Sequence, residues 1–222
     1  MPTIDTDYDG VVYKYTAASW ATVRSASSGF VIASSPWTTG ITNQATPGRG
    51  GVVSNVGRFF MEFDTSGISV APSSALLKVC GTSVSTTLDV LCVRGEQSGS
   101  TVSTHFNDIY NASTELSNSD GIGGGALSGI SGLLYSNTLT SWNNSGYNNF
   151  VLTSQALSDI ASEDSFKVVM IGLRDYEDAI SLGTAESVSL RLAGSGSSTK
   201  PFITYVAGVE ATDNATFFGC NF

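Results

Sequence analysis

Residues 57–80, GRFFMEFDTSGISVAPSSALLKVC, read as two β-strands joined by a polar turn. Side chains alternate faces along a strand, so Phe59, Met61 and Phe63 share one face while Arg58, Phe60 and Glu62 share the other. The run Asp64, Thr65, Ser66, Gly67 stops the first strand, because short polar side chains hydrogen-bond the nearby backbone and Gly permits the turn. Pro72, Ser73 and Ser74 mark a second break, after which Ala75, Leu77 and Val79 resume an inward face and Lys78 points outward. The pattern predicts two strands near the middle of an all-β sandwich.

The totals agree with that reading. A chain of 222 residues is long enough for one sizeable core, and all-β domains commonly reach this length, so a single domain is expected. Charged residues make up only 13 %, and 24 glycines accompany abundant Ser and Thr, the composition of short strands joined by many turns. A 41 % hydrophobic content argues against disorder. The formal charge of −9 excludes the basic face that a nucleic-acid backbone requires, and it disfavours charge-driven binding to an anionic membrane. No nucleic-acid or membrane partner is therefore expected, and no stretch has the length and apolarity of a membrane span. Acidic charge suits divalent cations and neutral glycans. Cys80, Cys92 and Cys220 show no metal-ligand spacing and are read as free, at least half-buried thiols.

Outward from the central pair, residues 1–10 form an acidic N-terminal arm in which Asp5, Asp7 and Asp9 precede Gly10. Alternate carboxylates followed by Gly are the first half of a Ca²⁺ loop, but position twelve of such a loop is Thr16 and the bidentate Glu is missing. A solvated acidic arm is the preferred reading, with Ca²⁺ as the one cofactor the residues suggest. Strands are expected over residues 11–16, near 21–23 and over 29–32, followed by a long loop over 34–51 that bears Trp37. Further strands are expected over 87–94, 166–173, 188–192 and 202–206, and the only helix over 153–162, capped by Thr153 or Ser154. Residues 95–140 read as a surface excursion holding His105, and 174–180 as an acidic loop. Trp37, Trp142 and Tyr147, the last two among Asn143, Asn144, Asn148 and Asn149, are candidate glycan contacts, since aromatic faces stack on sugars and amides bond hydroxyls. Structural roles compete with that reading at each of them. The terminal segment, 208–222, carries Phe217, Phe218 and Phe222 beyond the last strand; they are expected to fold back on the domain or to dock on a neighbouring subunit.

The run RFFMEFDTSGI followed by SSALLKV resembles the signature of DNRLRE-type domains, a jelly-roll family related to carbohydrate-binding modules. The stretch from Ser141 and Trp142 through Tyr147 to Leu152, and the closing Lys200 to Val206, fit the same pattern. The sequence departs from it at Met61 and Glu62, where the family has Leu or Ile before the Phe at position 63. The resemblance implies a single β-sandwich of jelly-roll type with one short helix over residues 11–207. It also implies the settings where such domains occur: secreted polysaccharide-active proteins and phage virion proteins.

No catalytic constellation stands out. His105 is flanked by Asp108 but by no nucleophile frame, and polar surface is its expected place. The expectation is a non-enzymatic structural or decoration protein of a virus particle of the tailed-phage kind. It would dock on itself or on other virion subunits through its tails, with surface glycans as a further partner. The opening residues have no basic start and no apolar run, which favours location in a virion over an extracellular one. A stand-alone carbohydrate-binding module and a polysaccharide-degrading enzyme are the alternatives.

Overall fold

The alternation in residues 57–80 becomes the two central strands of an antiparallel sandwich. The structure is a computed structural model and describes residues 1–32, 38–86, 88–112, 126–193 and 199–209. In chain order the elements are β1 (Thr3–Thr16), α1 (Trp20–Arg24), β2 (Phe30–Ile32), β3 (Thr38–Gly48), β4 (Gly51–Asp64), β5 (Ser74–Thr86) and β6 (Val90–Arg94). They continue with β7 (Tyr147–Val151), α2 (Ser154–Ser162), β8 (Ser165–Gly172), α3 (Leu173–Glu177), β9 (Thr184–Leu190) and β10 (Phe202–Val206).

A first sheet has the order β1, β10, β5, β7. In the second, β4 pairs with β1 along one edge, and along the other with β3 over its first half and β8 over its second. That sheet extends through β8 to β6 and through β3 to β9 and the far half of β5. Strands β1 and β5 thus pass from one sheet to the other and close the sandwich at its sides. Phe59, Met61 and Phe63 point into the inter-sheet core with Leu77, Phe150 and Phe166, each at most 1 % exposed. At roughly 1.5–3 kcal/mol per fully buried side chain, these residues contribute strongly to closing the sandwich.

Phe60 faces the other way, into a second core. There Val12, Leu91, Val93, Val169 and Ile171 are covered by Val23 of α1 and by Phe106, Ile109, Leu127 and Leu133. Residues 95–140 are therefore not a surface excursion where they are described: Phe106, Ile109, Ala112, Leu127 and Leu133 form a third layer over the second sheet, while Tyr135 and Leu139 pack on the inter-sheet core. Apolar residues on both faces of β8 and β6 require such a cover.

Other expectations also change. The first ten residues are no separate arm, because β1 begins at Thr3, with Ile4 and Thr6 buried between the exposed Asp5 and Asp7. Residues 38–48, expected as loop, form β3; cross-strand pairing with β4 and β9 outweighs their Gly, Thr and Pro content. Residues 20–24 are a helical turn, capped by the Ser19 hydroxyl accepting from the Thr22 N–H. Residues 173–177 are helical as well, so α2, expected and capped by Thr153, is not the only helix. Cys80 and Cys92 are buried free thiols, and burial pushes the Cys92 thiol up to about 12. Cys220 lies outside the described residues, as do Trp37, Phe217, Phe218 and Phe222.

Candidate functional site

The three aspartates of the N-terminal strand do not work together. Asp5 is exposed and pairs with Lys200 at 2.6 Å. A register shift between Thr6 and Tyr8 breaks the alternation that would align Asp5, Asp7 and Asp9. Asp9 is partly buried and accepts the Ala193 N–H at 2.6 Å; burial raises its carboxyl to about 6. Among the described residues no three His, Cys, Asp or Glu side chains are grouped so as to hold a metal ion, and Ca²⁺ has no cage there.

Trp142 and Tyr147 have different surroundings: Trp142 lies in the turn before β7 and Tyr147 is the first residue of that strand. Trp142 is half-buried against the inter-sheet core, and its indole nitrogen is buried without a hydrogen-bond partner among the described residues. That nitrogen lies 2.7 Å from where a Cβ on Gly81 would stand, and the Asn143 carbonyl lies 2.0 Å from the same point. The Asn148 amide ties the turn together, donating to the Asn143 carbonyl and accepting the Asn143 N–H. Trp142 thus wedges a turn, and only Tyr147 is on the outer face of the first sheet.

That outer face is legible from register. Asp5, Phe202, Lys78 and Asn149 are cross-strand partners in one row, and Thr3, Thr204, Leu76 and Val151 in the next. Tyr147 meets Phe202 edge-on at 5.1 Å between centroids, and the Lys78 ammonium stands 5.7 Å from the Phe202 ring centre. Val151 and Val206 on this face are 55 % and 44 % exposed. The strand over 202–206 was visible in the sequence. The contact of Phe202 with Tyr147 was not, because it is a long-range property of two strands that flank β5.

Buried charge is concentrated elsewhere. Asp175 of α3 is fully buried and accepts from Arg24 Nε at 2.9 Å, Arg58 Nε at 2.7 Å and Arg58 Nη2 at 2.9 Å. Arg58 also donates to the Phe106 carbonyl and the Asn107 side chain, and its guanidinium stacks on the Phe106 ring at 4.4 Å. Burial pushes the Asp175 carboxyl up, and the guanidiniums of Arg58 and Arg24 outweigh that, leaving it below the usual carboxylate range. A second network joins Arg94 to Asp159 and Glu163, with the Tyr135 hydroxyl donating to Asp159 at 2.5 Å. These groups bolt the outer layer and α2 to the sheet.

His105, expected on the surface, is 7 % exposed, packed near Phe60, and its Nδ1 accepts the Val102 N–H at 3.3 Å. Its nearest carboxylate oxygen, on Asp108, is 3.9 Å away, and no hydroxyl is bonded to it among the described residues. A polar cleft of about 280 Å³ lies at one end of the second sheet, where Arg174 and Glu186 form a two-pronged ion pair beside Asp89 and Glu177. Neither a scan against protein-family models nor a search of curated proteins finds a match.

Proposed function

We propose that this chain is a non-enzymatic structural subunit that builds or decorates a virus particle of the tailed-phage kind, docking on copies of itself or on neighbouring subunits. The observation behind this reading is the group of apolar side chains on the outer face of the first sheet. Leu76, Tyr147, Val151, Phe202 and Val206 share that face with Asp5, Lys78, Asn149, Thr3 and Thr204, and Val151 and Val206 are exposed. The chain leaves that sheet at Val206 and passes the 90 % exposed Val209 before its aromatic terminal segment. The commitment of the deepest charges to one another, around Asp175 and Asp159, supports a scaffold role over a catalytic one. The resemblance of residues 58–79 to jelly-roll domains that occur in virions supports it too.

Light scattering tests the reading. The full chain should run as a multimer, and removal of residues 208–222 should leave a folded monomer. A full chain that is monomeric at every concentration refutes it.

Glycan binding on the same face is the second reading, supported by the Tyr147–Phe202 pair beside Asn149 and Lys78. It predicts that Tyr147→Ala abolishes retention on a polysaccharide gel while the protein stays folded. Equal retention of that variant and the wild type removes Tyr147 from any glycan site.

A further inference from the structure

We infer that the C-terminal segment of one copy, residues 210–222, docks on the outer face of the first sheet of a second copy, with Phe218, Cys220 and Phe222 seated on that face. The inference rests on the assembly reading above and names the two surfaces that meet, which that reading leaves open.

The two sheets differ in how their outer faces are covered. The second carries a third layer, with Phe60 and Val169 under Phe106 and Leu133. On the first, Leu76, Tyr147, Val151, Phe202 and Val206 belong to neither core, and Val151 and Val206 stand exposed. Phe202 and Val206 mark the two ends of β10, ~13 Å apart at the strand rise of ~3.3 Å per residue, and Leu76, Tyr147 and Val151 flank them from β5 and β7.

The terminal segment supplies an apolar set of the same length. Alternate residues of an extended segment share a side, so Phe218, Cys220 and Phe222 fall together, opposite Phe217, Gly219 and Asn221. Phe218 and Phe222 are then ~13 Å apart, the spacing of Phe202 and Val206. From Val209 to Phe218 an extended chain reaches ~30 Å, enough to cross from one copy to the next before the aromatic residues begin.

The exit of the chain favours a second copy over its own. The Ser73 N–H donates to the Val206 carbonyl at 3.0 Å, and beyond it Gly208 lies so close to the β4–β5 turn that a Cβ there would meet the Ala71 carbonyl at 2.0 Å and Val70 at 2.8 Å. That turn crosses the end of the sandwich, from β4 in the second sheet to β5 in the first, and Ala207 and Gly208 line a shallow hollow there with Gly67, Ile68 and Tyr205. The chain is thus led across the end of the sandwich toward the second sheet, where Val209 is 90 % exposed. The outer face of its own first sheet lies behind it, whereas the same face of a neighbour is open to it. Apolar burial also draws together two copies whose −9 charges repel.

Self-association of the full chain is measured by sedimentation against concentration for the wild type, a face variant, Val151→Asp with Val206→Asp, and a tail variant, Phe218→Ser with Phe222→Ser. Each variant should weaken association by about tenfold or more. Mixed in equal amounts, the two should form a one-to-one complex, because the face variant keeps a working tail and the tail variant a working face. A synthetic peptide of residues 210–222 should inhibit wild-type association, and the same peptide with both serines should not. Val151→Thr with Val206→Thr keeps the branched shape at two exposed positions, so it should weaken association in the same direction while the thermal midpoint stays at the wild-type value. Face variants that associate like the wild type overturn the inference. If truncation at 208 dissolves the assembly while the face variants do not, the tail docks elsewhere: the inference falls and the assembly reading stands. Two monomeric variants that form no complex on mixing also overturn it, and a full chain that is monomeric at every concentration overturns both.

Discussion

Asp175 is where a single side chain should matter most to stability. Replacing it with Asn keeps the shape of the group and removes the charge that two buried guanidiniums share. Three charge-assisted hydrogen bonds of 2.7–2.9 Å are lost or weakened, and Arg58, 0 % exposed, has no other anion beside it among the described residues. Arg24 keeps a weaker partner in Asp178 at 3.5 Å. Breaking a buried ion pair from one side costs about 3–5 kcal/mol, because the surviving charge stays buried and uncompensated. A loss near 4 kcal/mol is large against a typical total of about 5–15 kcal/mol. For a chain of this size it should lower the thermal midpoint by about 8–16 °C. Urea unfolding followed by tryptophan fluorescence measures the loss directly. The control is Asp178→Asn, whose partly exposed carboxylate should cost no more than about 1 kcal/mol. A triple replacement of Arg24, Arg58 and Asp175 by Met, Met and Leu should recover most of the stability lost by Asp175→Asn, since apolar packing replaces such triads at little net cost. The dependence on pH follows the same logic. The folded carboxyl titrates below its unfolded value of 3.8, so its contribution is complete above that value and disappears as pH falls through the lower folded one. Asp175→Asn within about 1 kcal/mol of the wild type at pH 7 would refute the claim that this triad holds the outer layer to the sheet.

Two further substitutions probe separate parts of the fold. Asp9 behaves in the opposite sense to Asp175: burial raises its carboxyl from 3.8 to about 6, so stability is highest below the lower value and declines as pH rises through the interval. Asp9→Asn retains an acceptor for the Ala193 N–H and should stabilise the protein by about 1–3 kcal/mol at pH 7, with the gain vanishing near pH 3.5; thermal melts across that range would expose a constant offset as a contradiction. Gly81→Ala drives a methyl to within 2.0 Å of the Asn143 carbonyl and 2.7 Å of the Trp142 indole, and should cost about 1–3 kcal/mol while shifting tryptophan emission. An unchanged spectrum and midpoint would mean that the turn does not depend on this close approach.

The central strands were legible because local signals and tertiary demands agree there. In residues 57–80 the turn residues are short and polar, and the inward residues Phe59, Met61, Phe63, Ala75, Leu77 and Val79 are all apolar and buried, so local pattern and burial specify one register. Helix α2 was legible for the same reason, with a Thr cap followed by an apolar stripe. The failures fall where tertiary pairing overrides local preference. Residues 38–48 look like a loop and become a strand because β4 and β9 offer two edges to pair with. Residues 174–180 look like a solvated acidic loop, and nothing nearby in the sequence reveals that Arg24 and Arg58, more than a hundred residues earlier, will neutralise Asp175.

The same distinction separates the two faces of the second sheet. The inter-sheet face was foreseen from Phe59, Met61 and Phe63, but the opposite face, with Arg58 and Phe60, reads in sequence as half wet. In the folded chain Phe60 lies under Phe106 and Leu133 in a second core, and Arg58 is made tolerable there only by a carboxylate that arrives from α3. An arginine beside a phenylalanine on a central strand is therefore a testable sign of a third layer. It predicts a charged partner in a distant segment, and that segment must carry the apolar cover as well, because a buried guanidinium is stable only where both its charge and its hydrogen bonds are met. Here α3 brings both, with Asp175 neutralising Arg58 while Leu173 and Tyr176 pack on the second core. The outer layer and the ion triad are consequently one cooperative unit, and a substitution that loosens Asp175 should expose Phe60 and Phe106 together, before the inter-sheet core opens.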